Sequence, residues 1–447
     1  MIQMTIEKAA QACGGVLTGT ADPSREIGRV VIDSRLVRDG DLFVAYKGQT
    51  SDGHDYISAA LDNGAAVCLA ERVPPGENRA IILTDDVQTA LERIMTAYRD
   101  SLSLPIIGVT GSVGKTTTKE MICAVLSAAM NVLKTEGNLN NYIGVPMTLS
   151  RITPDHRAAV IEMGISEFGE MTRLGNMVRP RIVVFTLIGH AHLEYLGDLD
   201  GVLKAKTEIL ELLDEDACVI LNGDDAKLKA FPCPVRRISY GLGNDCDVRA
   251  ENVVSSESAT VCDIVCGARR IKVTVPAFGS HLVYAALAAA AVGLELGLSD
   301  IEIAEGIGSF AVVGRRAAVS HTGKITLIDD CYNSNPDALK SGIDSLMKLP
   351  GRHICVLGDM LELGDDSPDL HFECGRYARD KGVDVLYCCG NMAGYYRDGA
   401  GDIATCCADI EQLVLTLKNE IMPGDCVLVK ASRGAHFEQI SEALKTL

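Results

Sequence analysis

Ile106-Ile-Gly-Val-Thr-Gly-Ser-Val-Gly-Lys-Thr-Thr-Thr118 joins an apolar run of strand length to a glycine turn and then to the start of a helix. Gly111 and Gly114 allow successive backbone N–H groups to face an anion, and a helix opening near Lys115 adds the positive end of its dipole. In such a loop the lysine, Lys115, reaches the β- and γ-phosphates and the hydroxyl of Thr116 sits on Mg2+, while Thr110, Ser112, Val113 and Thr117 complete the cradle. The pattern is a variant, T-G-x-x-G-K-T, with Val109 where the usual loop has its first glycine. It predicts ATP binding at the edge of an α/β sheet.

Outward from this loop, apolar strands at residues 158–161, 182–185 and 218–221 alternate with helical stretches, the signature of a mainly parallel sheet covered by helices. Met121, Ile122, Val125, Leu126 and Ala129 recur on one face of the first helix, and an alanine-rich helix is expected from about Ser280 to Leu296. The alternation restarts after Gly314, with strands at residues 325–328, 354–357, 385–387 and 426–429. This second α/β unit is Rossmann-like and has no phosphate loop of its own. Ahead of Pro105, a mixed unit carries helices near residues 6–13, 56–63 and 93–101 and extended pieces at 29–32 and 42–45. The expected division is 1–104, 105–313 and 314–447, an α/β chain of three domains, as its 447 residues allow.

A formal charge of −18 argues against nucleic acid, which needs a basic face. The positive charge a nucleotide needs must therefore be local. No apolar stretch reaches the roughly 18 residues of a membrane span, and Met1-Ile-Gln-Met-Thr lacks an export signal, so a cytoplasmic protein without membrane insertion is expected. The sixteen cysteines then read as reduced thiols in packed interiors, and none has the spacing of a zinc site.

Several motifs remain: Thr135-Glu-Gly-Asn-Leu-Asn-Asn-Tyr-Ile-Gly-Val-Pro146, Ile161-Glu-Met-Gly164, His190-Ala-His-Leu-Glu194 and Lys204-Ala-Lys-Thr-Glu208 in the middle; Gly314-Arg-Arg316, Asp329-Asp-Cys-Tyr-Asn-Ser-Asn-Pro336, Leu357-Gly-Asp-Met-Leu-Glu-Leu-Gly364 and Lys430-Ala-Ser-Arg433 towards the end. Together with the phosphate loop this set resembles the Mur ligases, the ATP-dependent amide-forming enzymes of peptidoglycan synthesis, over nearly the whole chain. The segments 329–336 and 357–364 resemble those of members that add D-alanyl-D-alanine to UDP-N-acetylmuramoyl-tripeptide. The D-N-P-R of the diaminopimelate-adding relative does not occur.

The resemblance implies a chemistry. A carboxylate cannot be aminated in water without a leaving group, so ATP first makes it an acyl phosphate, and an amine then displaces phosphate. Mg2+, in two ions, neutralises the crowded anions. By the same resemblance Lys115, His192 and Lys206 are catalytic, with Thr116 and Glu162 on one Mg2+ and His192 on another. Lys206 matches a lysine that several members carbamylate to hold the second ion; the alternative is an ammonium paired with Glu208 or with substrate. For His192 the alternative is an ordinary hydrogen-bonded histidine.

The resemblance also assigns Asp330, Asn333 and Asn335 to the base and ribose and Arg315 to the phosphates. Domain closure would bring them to the loop and exclude water. Ser34, Arg35, Phe43, Ala45, Asp52, Gly53 and His54 match contacts to the uridine diphosphate; Asn138, Asn140 and Asn141 would orient the peptide substrate; and Arg433 would grip the dipeptide carboxylate in a planar fork. For Arg35 a surface salt bridge is the alternative.

Several positions depart from the family pattern, among them Ala431 in place of a usual glycine near the last motif and the untypical His436-Phe437. Leu187 stands where Asn follows Thr in relatives, and His281-Leu-Val-Tyr-Ala285 replaces His-Asn-x-x-Asn, so Leu282 and Ala285 offer adenine no side-chain hydrogen bond. The competing readings are a Mur-type ligase for another amino acid or dipeptide, a non-catalytic nucleotide-binding paralogue, and a switch-type NTPase that turns over without an acceptor. The third residue of the peptide, lysine or diaminopimelate, has no motif, and a monomer is the default.

Overall fold

The computed structural model describes residues 4–48, 50–256, 258–279 and 281–446. Three sheets follow one another along the chain. The first has five strands in the order Val16–Thr18, Ile81–Leu83, Val67–Ala70, Leu42–Val44, Val30–Val31, antiparallel only at the Val16–Thr18 edge. Its helix Val87–Asp100 begins six residues before the expected start, because Asp86 accepts from the N–H of Thr89 and so caps it. From there Val87, Ala90, Leu91, Ile94, Met95 and Tyr98 bury one face.

The central sheet has nine strands. Ile106–Thr110 lies between Ala158–Glu162 and Ile182–Phe185, all parallel, and Cys218–Asn222, Arg236–Gly241 and Val248–Ser255 continue outward. Thr260–Cys266 and Arg269–Val275 then add an antiparallel meander, an extension the expected parallel unit lacked. Alternate burial of Ile271, Val273 and Val275 explains it, since period two buries one face of a strand. Helix Lys115–Ser127 packs Met121, Ile122, Val125 and Leu126 into the core, but Ala129 lies beyond its end and is exposed. Helix His281–Glu295 is buried on nearly every face; Val283, Leu287 and Val292 each contribute about 1.5–3 kcal/mol by leaving water. Ser280, the expected start of that helix, lies outside the described residues, as do residues 1–3.

The last sheet orders Ala318–His321, Thr326–Asp329, Cys426–Lys430, His353–Leu357, Val385–Cys389 and Ala404–Cys407, parallel except at the first strand. The thiols sit mainly in interiors, Cys406 being exposed. Loops at the carboxyl ends of the central and last sheets meet. Asp337 accepts from the N–H of His190, and the carbonyl of Glu362 accepts from the N–H of Glu194. The first lobe is tied to the centre through the N–H of Val30, which donates to Ser150 Oγ at 3.0 Å, and the Tyr98 hydroxyl, which donates to the carbonyl of Ile152 at 2.7 Å.

Candidate active site

Gly111 has φ 143°, a region closed to other residues, and a Cβ there would collide with Thr186 Oγ1. Gly114 has φ 84° and ends the turn, so helix Lys115–Ser127 starts with unpaired N–H groups. The loop is braced from below. Ser112 donates its N–H to the carbonyl of Leu187 at 2.7 Å, its Oγ donates to the carbonyl of Gly189, and Thr186 Oγ1 donates to the carbonyl of Val113. Leu187 thus keeps its place through its backbone. Lys115 Nζ donates to the carbonyls of Gly111 and Ser112, at 2.7 and 3.4 Å.

The loop opens into a cavity of about 1370 Å3. The central domain lines it with Ser112 to Thr118, Asn138, Asn140, Asn141, Glu162 and His192, and the last domain with Arg316, Asp330, Tyr332, Asn333, Asn335, Glu362, Lys430 and Arg433. A nucleotide and a second substrate fit such a volume, which exceeds a typical small-molecule pocket.

Glu162 is 1% exposed at the end of its strand. Asn140 Nδ2 donates to its Oε1 at 2.8 Å, while Oε2 lacks a hydrogen-bond partner and lies 3.7 Å from Lys119 Nζ. Lys119, fully buried, also meets Glu120 at 3.1 Å and donates to the carbonyl of Thr135 at 2.7 Å. A buried carboxylate oxygen without a hydrogen bond is costly unless something else neutralises it. Together with the buried Oγ1 of Thr110, also unpartnered, it suits a small hard cation near the loop. Among the described residues no group of three His, Cys, Asp or Glu side chains gathers to hold a metal.

Lys206 is fully buried and its Nζ has no hydrogen-bond partner. Burial first, then the charge of Lys115, pushes its amine well below the usual lysine range. The alternative partner, Glu208, is occupied elsewhere: it accepts from the N–H groups of Gly169 and Thr172 and from Thr172 Oγ1, at the start of helix Glu170–Val178. The pairing of Lys206 with Glu208 is therefore corrected.

Arg315 is a second correction. Its guanidinium donates to Glu442 at 2.8 Å and to the carbonyl of Glu438 at 3.1 Å, and it does not line the cavity. Arg316 does. It stacks 3.9 Å from the ring centre of Tyr332, whose other neighbour is Arg433 at 5.2 Å. Desolvation lowers the pKa of Lys115; Glu162 opposes that shift and Arg316 adds to it.

Other expected residues divide by what they touch. Asp330 accepts from Lys430 Nζ at 2.5 Å and from the N–H of Ala317. Asn335 caps helix Pro336–Leu346 by accepting from the N–H of Ala338, and Asn141 Oδ1 accepts from the N–H groups of Ile143 and Gly144. The seven first-domain residues all lie away from this cavity. Phe43 and Ala45 are buried in that domain's core, so their side chains do not face solvent. The ring of His54 is fully engaged, with Nδ1 at 2.7 Å from Asp52 and Nε2 accepting from the N–H of Glu71. Ser34, Arg35, Asp52 and Gly53 keep some exposure, and Arg35 pairs with Asp33 at 2.7 Å. A bridge to the cavity runs through Gln88, which accepts from the Tyr46 hydroxyl and donates to the carbonyl of Tyr142 on the cavity wall.

A phosphate loop on a parallel sheet, facing a cavity closed by a second α/β lobe, defines a phosphate-loop protein whose nucleotide site is shared between domains. Family models match in three pieces: the Mur ligase family catalytic domain at residues 26–99, the Mur ligase middle domain at 109–293, and the Mur ligase glutamate ligase domain at 314–433. The UDP-N-acetylmuramoyl-tripeptide–D-alanyl-D-alanine ligase of Bacillus subtilis strain 168 is 36% identical, with 99% of each chain covered. That of Escherichia coli K12 is 33% identical, covering 100% of this chain and 99% of the relative. Among solved structures, MurF from Acinetobacter baumannii superposes with a TM-score of 0.90 at 30% identity over 99% of each chain. MurF ligase from Thermotoga maritima in complex with ADP gives 0.84 at 29% identity, covering 94% of this chain and 97% of the other. The chain belongs to the Mur ligase family and has its three-domain α/β architecture.

Proposed function

We propose that the chain is an ATP-dependent amide ligase that joins D-alanyl-D-alanine to UDP-N-acetylmuramoyl-tripeptide, in the cytoplasmic synthesis of peptidoglycan precursors. The observation that carries this reading is end-to-end similarity at 36% identity to a ligase of that name, on a fold whose phosphate loop faces the last lobe.

ATP is a substrate, held by residues 110–117 with its triphosphate against Lys115. Arg316, rather than Arg315, meets the phosphates from the other lobe. The substrate carboxylate takes the γ-phosphoryl group and ADP leaves. The neutral amine of the dipeptide then attacks the acyl carbon, the C–O bond to phosphate breaks, and the nitrogen gives up one proton, which the departing phosphate can take, leaving the amide. Lys115 and Arg316 lie where charge develops on the transferred group, and preorganised cations there act more strongly than in water. Thr116, Glu162 and His192 would hold Mg2+, which when bound polarises the phosphoryl oxygens. Lys206, whose amine burial holds well below the usual lysine range, is suited to take up CO2 as a carbamate and release a proton; the carbamate would supply oxygen ligands for a second ion.

Arg433 is placed to pair with the dipeptide carboxylate, and Asn138 and Asn140 with the peptide acceptor. Ser34, Arg35, Asp52 and Gly53 form the uridine-diphosphate surface. For the base, His281, Tyr284 and Ala285 line the cavity beside Asp224, to which the Tyr284 hydroxyl donates at 3.0 Å. Leu282 is 3% exposed and packs into the core.

The test is ADP release by purified protein given ATP, Mg2+, the UDP-linked tripeptide and a panel of amines, with the product weighed by mass spectrometry. ADP and tethered pentapeptide formed only with D-alanyl-D-alanine support the reading. Product with a different amine reassigns the acceptor, and ATP binding without ADP marks a non-catalytic relative.

A further inference from the structure

His192 and Glu362 belong to different lobes and face one another across the cavity, Nδ1 to Oε2 at 2.6 Å. The contact is an ion-pair distance without hydrogen-bond alignment. Both residues sit in the left-handed backbone region, with φ 58° and 63°, a conformation unfavourable for a residue with a Cβ. Such strain persists only where surroundings hold it. Here they do. The carbonyl of Glu362 accepts from the N–H of Glu194 at 3.2 Å, Gly364 packs on the backbone of Glu194, and the N–H of Leu361 donates to Ser432 Oγ at 3.0 Å. The turn carrying Glu362 is thus gripped by the central lobe on one side and by the Arg433 loop on the other.

A histidine that binds a cation through Nε2 needs its proton on Nδ1, and a carboxylate beside Nδ1 fixes that tautomer, orients the ring and raises its basicity. We infer that Glu362 is a positioning residue that readies His192 for metal only when the last lobe is closed on the centre, so that cation affinity at His192 is coupled to domain closure. The coupling gives closure a chemical purpose beyond excluding water: the open enzyme holds its second cation weakly and does not commit ATP.

The inference rests on the metal-dependent part of the ligase reading, and its test uses neither acceptor nor amide product, so the two fail separately. Mn2+ binding to the full chain is followed by electron paramagnetic resonance with the non-hydrolysable β,γ-methylene analogue of ATP, for wild type, Glu362→Ala and Glu362→Gln. The expected result is a nucleotide-dependent second Mn2+ that binds about tenfold or more weakly in Glu362→Ala. Glu362→Gln, which keeps an amide oxygen beside Nδ1 but loses the charge, falls between, and the melting temperature and metal-free nucleotide affinity stay unchanged. Equal Mn2+ affinity in the three proteins overturns the inference. So does a wild type without a second Mn2+, or an equal loss of metal-free nucleotide affinity, which marks a merely structural role. If Glu362→Ala does not fold, Glu362→Gln decides.

Discussion

Asp337 Oδ2 accepts from the backbone N–H of His190 at 2.7 Å and lies 3.0 Å from its Nδ1, tying the turn before His192 to the first turn of helix Pro336–Leu346 in the other lobe. Burial alone would raise the Asp337 carboxyl, but the hydrogen bonds to His190 outweigh it and leave it lowered. The bond to Asp337 raises the pKa of His190. A raised histidine contributes fully below about pH 6.5 and loses that contribution as pH rises through its folded value; a lowered carboxyl contributes above about pH 3.9 and loses it as pH falls through its own. The charged pair therefore favours closure in mildly acidic to neutral solution. Asp337→Asn is expected to drop the His190 titration midpoint towards 6.5 by NMR, and to shift the scattering envelope towards open forms by less than about 1 kcal/mol.

Arg315 and Arg316 separate by position, since only Arg316 lines the cavity. Arg316→Ala is expected to lower kcat about 100-fold, the scale for removing one preorganised donor from a transferring group. Arg315→Ala loses a half-exposed pair with Glu442 and should cost about 1 kcal/mol or less in stability, with activity within a few-fold of wild type. Equal activity losses in the two variants would return the phosphate role to Arg315.

Lys115→Ala removes the cation on which the phosphate site depends. Because Nζ already rests on the carbonyls of Gly111 and Ser112, the loop keeps its shape without it, and a normal melting temperature is expected. ADP formation should fall by 100-fold or more. A variant that still ligates at the native rate removes the phosphate loop from the mechanism.

How far the sequence carries depends on whether a residue's role is local. The strand, glycine turn and helix at 106–118 are legible because Gly111 and Gly114 have backbone angles that other residues avoid. The meander at 248–275 carried a period-two signal in Ile271, Val273 and Val275 that the surrounding parallel alternation masked. Choosing between Arg315 and Arg316 needed three dimensions. Two identical side chains stand side by side, and the positive φ of Gly314 and Ala317 decides which one meets the cavity. The same holds for Glu362 and Asp337, whose partners lie 170 and 147 residues away in sequence. Phe43 and Ala45 lie in a motif by resemblance, yet a strand buried on both faces leaves their side chains nothing to contact but core.

Lys206 offers the last prediction. A buried, unpartnered amine with a depressed pKa means that the unfolded chain binds more protons than the folded one, from the lowered value up to about 10.4, so stability rises with pH across that interval. Lys206→Met fills similar volume without the desolvation cost. It should be at least as stable as wild type at pH 7 and should lose that part of the pH slope, read by denaturant titration at several pH values. If the amine is carbamylated, protein equilibrated with 13C-bicarbonate will show a carbamate carbon resonance that Lys206→Met lacks, and ligase activity will fall with the resonance as CO2 is stripped. A stable Lys206→Met variant with full activity and no change in pH slope would leave the lysine without a role in either folding or catalysis.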